Sequence, residues 1–537
     1  MKIFKNICFL FTTCLLFFSV SGCSKYEGLD TDISGEVTFM MWSGSGVYIE
    51  DIGHKEFASE ELTSGSDAAV YATAKAFNEI YPNIKINYYG KVGDPNGNDV
   101  TWSQERENFK AEYGKYPDVF LSTNVPDDVS RGLVADLSVF SDDPLYKSFN
   151  SSLMNMMNYY GFQGAIPQYS LPWGVWVNKS LAEDNNLDVP DPDWTIDEFT
   201  SFVKQADMKN FYGMMDTTLK FMETGTNSVR KSLAEYDGTQ SFVDLGSDEV
   251  KALMDYMPIW AKYSVWPQKD LGNISQEVMD EYWNWGWKFF IENKLLVYPD
   301  DPWFMGEAGH PDEAYPNRIK ASDWDIYPRP STDYVDNTVG VVADPMSVYN
   351  ACMNDGNSEC SEEESQQIQL GYTFASFWAG DTRAWEARAN QPYSNEGVLI
   401  SSLSDSFPLV TGDEFNKQMD IWYSTEGHRV YADASLKPGF HKVLEIWESG
   451  NIWDVSDKTT PWHYDQEGEL RPNLYEFENY WNSDIVGATR TDSNWSDLVK
   501  SKLADWSELS NKRFEESYES LRQGLKTYYH YSDKDFE

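Results

Sequence analysis

The opening of the chain has the order strand, helix, strand, which restricts the folds available to it. Glu36–Trp42 (EVTFMMW) is a continuous apolar run of strand length, and Ile84–Tyr89 (IKINYY) alternates with a period of two. Between them, apolar residues recur every three or four positions across Asp67–Tyr81, and Pro82 ends that pattern. This order predicts an α/β chain with a parallel sheet covered by helices.

Further segments extend this α/β pattern along the chain. Thr195 and Glu198 have the spacing of a capping box at the start of a helix. Other strands are predicted at 117–121, 175–177, 295–298 and 339–342, and helices at 366–388 and 511–528.

Charge and composition exclude several classes of function. The 537 residues include 42 Lys plus Arg and 87 Asp plus Glu, a net charge of −45. Binding to nucleic acid without a partner needs clustered basic residues, so it is excluded, and docking on anionic lipid is disfavoured. Aromatic residues make up 15% of the chain, which indicates a globular protein instead of a disordered acidic one.

The N-terminus has the features of an export signal. Lys2 and Lys5 precede an apolar stretch, Ile7–Val20, that is too short to span a bilayer. Val20–Cys23 resembles the lipobox of bacterial lipoproteins, which implies a signal peptide at 1–22, lipidation of Cys23 and a polar tether at 23–34. An ordinary signal peptide with a chance cysteine is the alternative. The expected location is the extracytoplasmic face of the cell membrane, with the lipid as the only membrane contact.

Two cysteines remain in the body of the chain, Cys352 and Cys360. An even pair in an oxidising compartment, separated by a turn-rich stretch, predicts a disulfide. A zinc site is the alternative, although no His or third Cys lies nearby in the sequence.

Motifs for nucleophilic, metal and phosphate chemistry are absent from the sequence, and no cofactor is predicted. Because Asp and Glu are numerous, a pair of catalytic carboxylates of the glycosidase type remains an alternative. One stretch resembles a calcium loop but has Gly at position 4 instead of 6, and a plain Asx-rich surface turn is the alternative. Its candidate ligands are Asp94, Asn96, Asn98 and Glu105.

The order of several motifs resembles the extracellular solute-binding proteins of ABC transporters, in the large family that binds sugars and oligosaccharides. The motifs are Phe77–Ile86, Tyr116–Phe120, Gly161–Gln168, Trp176–Lys179, Pro192–Phe199 and Phe290–Trp303. The resemblance covers about Gly35 to Asn390. This sequence differs from the family pattern at two places. Glu292–Lys294 stands where the family usually has Gly-Lys, and Ser122 stands where the family has an aromatic residue.

The resemblance implies a two-lobed periplasmic-binding-protein-like fold (type II), with a cleft between two mixed sheets flanked by helices. Lobe I would comprise residues 35–168 plus 341–406. Lobe II would comprise 169–340 plus 407–537, including a C-terminal extension. The chain would cross between the lobes near 167–173, 341–349 and 407–431.

Candidate ligand-binding residues follow from where such folds place their ligands, beyond the carboxyl ends of the strands and at the crossings. Tryptophan rings cover the apolar face of a sugar, and polar side chains hydrogen-bond its hydroxyls. The candidates are Trp42, Ser43, Ser45, Ser122, Thr123, Asn124, Gln168, Trp173, Trp176, Asp301 and Trp303.

Together these features predict a monomeric, lipid-anchored, non-enzymatic protein that captures a sugar by hinge closure and delivers it to an ABC permease. A secreted glycosidase and a helical glycan-capturing surface lipoprotein are the alternatives. A cleft carboxyl pair would favour the glycosidase, and the opening strand-helix-strand order disfavours the helical protein.

Overall fold

A computed structural model gives the fold. It describes residues 28–43, 46, 48–91, 100–215, 226–228, 241–265, 275–277, 287–299, 303, 305–308, 323–353, 360–395, 398–403, 406–455, 458–460 and 495–536.

The larger of two main sheets has seven strands and contains the predicted opening unit. Its strands are β1 (Gly35–Trp42), β2 (Tyr48–Ile49), β3 (Ile84–Lys91), β4 (Val119–Leu121), β7 (Ile166–Trp173), β11 (Val339–Val348) and β14 (Ile452–Asp454). β1 lies between β3 and β4 and is parallel to both, which confirms the parallel sheet predicted for the start of the chain.

Burial on both faces explains why β1 is apolar without interruption. Val37, Phe39 and Met41 are fully buried, and so are Thr38 and Met40 between them. Strands covered on both sides by helices have such continuous apolar runs.

Seven helices lie in the N-terminal part of the chain that the structure describes. They are α1 (Gly65–Ile80), α2 (Trp102–Tyr113), α3 (Val125–Ser130), α4 (Pro144–Ser148), α5 (Ser151–Met156), α6 (Lys179–Asp184) and α7 (Ile196–Val203). α7 begins at Thr195 with the predicted capping box, in which Thr195 and Glu198 each accept a backbone N–H. A small hairpin, β5 (Asn158–Tyr159) with β6 (Phe162–Gln163), precedes β7.

The smaller sheet is built on β8 (Val175–Asn178), which follows β7 after a single glycine. β8 pairs antiparallel with both β9 (Val297–Tyr298) and β10 (Trp324–Tyr327). A parallel bridge between Tyr212 and Leu295 adds to the edge of this sheet.

The helices described after α7 are α8 (Asp248–Met254), α9 (Met257–Tyr263), α10 (Trp287–Ile291), α11 (Met305–Ala308), α12 (Glu362–Gly380), α13 (Thr382–Ala389), α14 (Gly412–Ser424), α15 (Pro438–Ser449) and α16 (Trp495–Tyr529). A second hairpin joins β12 (Pro392–Asn395) and β13 (Val398–Ser401). Short 3₁₀ turns lie at Ile52–His54, Leu137–Phe140, Ala351–Met353, Arg429–Ala432 and Asp533–Phe536. Among the helices that the structure describes, none is long and apolar enough to cross a membrane.

The helix predicted over 366–388 is two helices, α12 and α13. Asp381 ends the first in an extended conformation, and its side chain accepts the backbone N–H of Arg383 at the start of the second. The apolar pattern runs through this break, because Trp378 and Trp385 both face the core and are at most 1% exposed.

The last helix, α16, is longer than predicted and contacts two distant parts of the chain. Midway along it, the ring of Phe514 stacks on Phe242 at 4.0 Å, in the segment before α8. Near its end, the Tyr529 hydroxyl donates to the carbonyl of Val134, beside the large sheet, at 2.6 Å. α16 therefore connects segments that are distant in the sequence.

The division of the chain into two lobes stays a prediction. It assigns all residues after 407 to lobe II, but the elements after 407 contact elements assigned to both lobes. α14 packs on α13, and its Gln418 also donates to the carbonyl of Gly380, the last residue of α12, at 2.8 Å. α15 packs on β10 of the small sheet, where the N–H of Gly439 donates to Asp325 at 2.8 Å. β14 then returns to the large sheet beside β11.

Candidate functional site

A row of residues crosses the carboxyl edge of the large sheet, where a ligand is expected. Trp42 lies opposite Lys91 in the register of β1 and β3, and the register of β1 and β4 places Ser122 level with Trp42. The N–H of Ser122 donates to the carbonyl of Pro345 at 3.0 Å. Gln168 occupies the bulge where β7 shifts its register against β11.

Trp42 presents an exposed ring at this edge. Its side chain is 38% exposed, although β1 itself is buried. The ring of Trp102 meets it edge-on at 4.9 Å, and the Lys91 ammonium lies 4.6 Å from its centre. An indole fixed in this way can stack on the apolar face of a sugar.

Ser43, predicted to bind ligand, is buried in a hydrogen-bonded group below this surface. Its hydroxyl donates to Asp67 at 2.7 Å, and the Tyr88 hydroxyl donates to the same carboxylate oxygen at 2.7 Å. Burial raises the pKa of Tyr88. The hydroxyl of Ser43 therefore supports the end of β1.

Ser122 has a similar supporting position at the end of β4. It is fully buried, and its hydroxyl donates to Asp128 at 2.6 Å. Arg106 donates to the other oxygen of Asp128, forming a buried ion pair. Because its donor is used, Ser122 holds the strand end against α3.

Asn124 and Gln168 retain unused amide atoms close to the row. Asn124 caps α3 by accepting the N–H of Asp127 at 3.1 Å, and its Nδ2 is buried without a partner among the residues described. Oε1 of Gln168 is likewise buried and has no partner in that part of the chain. Thr123, between Ser122 and Asn124, is half-buried. One donor and one acceptor at this edge are thus buried and unsatisfied.

Trp173 and Trp303 are two further aromatic candidates, and both are more buried than Trp42. The indole N–H of Trp173, at the end of β7, donates to the carbonyl of Pro299 at 3.1 Å. Trp303 is half-buried and packs against the apolar core. The hydrogen bond places the ring of Trp173 at the junction between β7 and the segment after β9.

Trp176 lies in the core of the small sheet, two residues into β8. It is 2% exposed, and its ring packs at 5.0 Å from Trp324 and 6.2 Å from Phe290. A side chain enclosed in this way packs between elements and presents no face to a ligand.

Several predicted positions lie outside the described residues: Cys23, Ser45, Asp94, Asn96, Asn98 and Asp301. Of the calcium candidates, Glu105 is described, and it accepts the hydroxyl of Tyr89. Within the described ranges, no group of three or more His, Cys, Asp or Glu could hold a metal ion. Cys352 and Cys360 form a disulfide, with Cα atoms 4.7 Å apart.

Lys91 and Trp102 were not among the predicted site residues. Lys91 ends a strand that the apolar pattern predicts only as far as Tyr89, and Trp102 follows Thr101, which caps α2. The sequence feature that points to Trp102 is the helix-capping residue Thr101 immediately before it.

Comparison with known proteins agrees with this arrangement. The sequence profile of the family described as bacterial extracellular solute-binding protein matches residues 60–210. That region of the chain is therefore similar to the bacterial extracellular solute-binding proteins. No curated protein matches the chain in sequence.

One solved structure shares the fold, and a second matches this chain with a lower TM-score. A sugar transporter protein of Rhizobium etli in an open conformation matches with a TM-score of 0.54 at 15% identity, over 88% of this chain and 99% of its own. An ABC substrate-binding protein of Listeria monocytogenes in complex with cycloalternan matches with a TM-score of 0.48 at 14% identity, over 92% and 99%. The predicted α/β, two-lobed solute-binding protein fold is confirmed.

Proposed function

We propose that this solute-binding protein captures a sugar or oligosaccharide between its lobes and delivers it to an ABC permease. The observation that carries the proposal is the exposed ring of Trp42 at the carboxyl end of the central strand, level with the polar row. A pyranose combines a C–H face with a rim of hydroxyls, and this edge offers both kinds of partner.

Each part of the edge has a separate role in this proposal. The Trp42 ring, held by Trp102, stacks on the sugar face and supplies affinity. Nδ2 of Asn124 donates to a hydroxyl, and Oε1 of Gln168 accepts from one. Because a buried amide without a partner is costly, binding that satisfies both atoms favours ligands with hydroxyls in the right places.

Hinge closure would bring Trp173 and Trp303 onto the second face of the sugar. β7 continues into β8 through one residue, so the two sheets are joined by a short connection. Rotation about such element ends is the usual way that a two-lobed protein closes around its ligand.

A thermal-shift screen against mono- and oligosaccharides tests the capture of a sugar. A ligand at 100 times its dissociation constant stabilises the protein by about 2.7 kcal/mol, so a true ligand raises the melting temperature in a concentration-dependent way. The sugar is then recovered and analysed by chromatography. Intact sugar supports a binding protein, whereas cleaved sugar contradicts it and favours the glycosidase.

Anchoring through Cys23 is part of the proposal and has its own test. Cys23→Ala removes the thiol that would carry the lipid, so the variant should leave the membrane fraction with its melting temperature unchanged. Cys352→Ala with Cys360→Ala is the matched control, because it removes thiols that are joined to each other. A Cys23→Ala variant that stays with the membrane contradicts the anchor.

A further inference from the structure

Arg388, near the end of α13, is a buried cation with an unusual environment. It is 1% exposed. Its guanidinium carbon lies 4.9 Å from the ring centre of Trp378 and 5.2 Å from that of Trp385. The charge is therefore held between two indoles in the core beside the large sheet.

The guanidinium has no anionic partner among the residues that the structure describes. Nε and Nη1 are buried and make no hydrogen bond there, and the indole N–H of Trp378 also lacks an acceptor. Arg106, buried to a similar degree, has Asp128 as its ion-pair partner. Two donors of this buried guanidinium, and the N–H of an indole that it lies over, are thus unsatisfied.

Deprotonation of the Arg388 guanidinium does not remove this unpaired charge. Burial lowers the pKa of Arg388 to about 10, while the nearby phenol of Tyr169 acts in the opposite direction. A group with that pKa is still charged at neutral pH. Because an unpaired buried charge is strongly destabilising, the folded protein needs a negative charge here.

We propose that Arg388 and Trp378 bind a small inorganic anion, of which chloride is the common example. Nε and Nη1 of Arg388 and Nε1 of Trp378 donate to it. The indole rings favour a weakly hydrated monovalent ion over a strongly hydrated one, because little water accompanies the ion into the core.

The proposed anion site lies close to β7, the strand that carries Gln168. The ring of Trp378 lies 6.1 Å from Tyr169, the neighbour of Gln168 in β7. An anion at Arg388 therefore stabilises the packing of α12 and α13 behind the strand that carries the bulge.

Thermal unfolding in different sodium salts at matched ionic strength tests the site. Chloride and bromide should raise the melting temperature of the sugar-free protein by roughly 2 °C or more over gluconate, in a saturable way. Arg388→Met keeps the side-chain length but removes the charge, so the halide effect should disappear. An equal melting temperature in chloride and gluconate overturns the proposal.

Arg383→Met is the matched control, since it removes the same charge from the same helix. Arg383 is exposed and pairs with Asp381 at 2.7 Å, so its variant should keep the halide effect. A halide effect that survives in Arg388→Met also overturns the proposal.

Crystals grown in bromide give a result that does not depend on the folding of any variant. We expect an anomalous peak within hydrogen-bonding distance of Arg388. Absence of the peak at saturating bromide contradicts an anion site. Because the melts need no sugar, failure of the sugar proposal leaves this result intact.

Discussion

Trp42 and Trp176 are both cleft candidates in the sequence, yet they occupy opposite environments. Trp42 is 38% exposed and Trp176 is 2% exposed. Truncation of each ring should therefore affect different properties of the protein.

Trp42→Ala should weaken binding of the best sugar about tenfold or more. A ring that covers a sugar face contributes on the order of 1–3 kcal/mol, and 1.4 kcal/mol corresponds to one decade of affinity. Its unliganded melting temperature should change little, because the ring has few core contacts. Calorimetric titration together with thermal melts measures both quantities.

Trp176→Ala is the contrasting variant and should lose about 3–5 kcal/mol of unfolding free energy through the cavity that it leaves. Affinity for the sugar, measured where the protein is still folded, should be nearly unchanged. If Trp42→Ala instead unfolds the protein with unaltered affinity, Trp42 does not belong to the binding site.

Asp127, in the first turn of α3, should make stability depend on pH. Burial and the charge of Asp128 raise its pKa from 3.8 to about 6, against the opposing charges of Arg131 and Arg106. The folded state therefore holds this proton more tightly than the unfolded state. Its contribution favours folding at low pH and declines as pH rises from about 4 to about 6.

Asp127→Asn should remove this dependence. The full shift corresponds to roughly 3 kcal/mol, and partial exposure reduces the expected effect to about 1 kcal/mol. Denaturant unfolding at pH 4.5 and pH 7 gives the difference between variant and wild type. Relative to wild type, the variant should have a higher unfolding free energy at pH 7 than at pH 4.5. The same difference at both pH values contradicts the raised pKa.

At the scale of elements, the contact between α16 and α3 depends on a helical glycine. A Cβ on Gly524 would lie 2.5 Å from the carbonyl oxygen of Ser130, and backbone cannot move away cheaply. Gly524→Ala should therefore destabilise the protein, although alanine favours a helix over glycine by about 1 kcal/mol. Thermal melts should show a loss of at least 1 kcal/mol.

Glu515→Ala is the matched control, because Glu515 is exposed on the same helix. Its stability should remain within about 0.5 kcal/mol of wild type. A Gly524→Ala variant that is as stable as the control would show that the α16–α3 contact is loose.

For the whole molecule, capture by hinge closure predicts a change of shape. Small-angle X-ray scattering should give a smaller radius of gyration at saturating sugar than without it, because the two lobes approach each other. Trp42→Ala at a sugar concentration that saturates only wild type should remain expanded. An unchanged radius at saturation contradicts closure, although it leaves sugar binding possible.

Local structure was predictable because it depends on neighbours in the chain. The buried run of β1, the helix ended by Pro82 and the capping box at Thr195 all follow from short patterns, and the structure confirms them. The broken helix at Asp381 was missed, because the apolar face continues through the break from Trp378 to Trp385.

The sequence by itself determined the class of fold and the strand ends at which a ligand is expected. Which side chains face that space was decided only by the tertiary structure. Ser122 is buried with its hydroxyl donating to Asp128, and Trp176 is buried where Trp324 and Phe290 enclose it. Lys91 joins Trp42 through strand pairing across 49 positions of chain. Such contacts bring together residues that are distant in sequence, so no local pattern contains them.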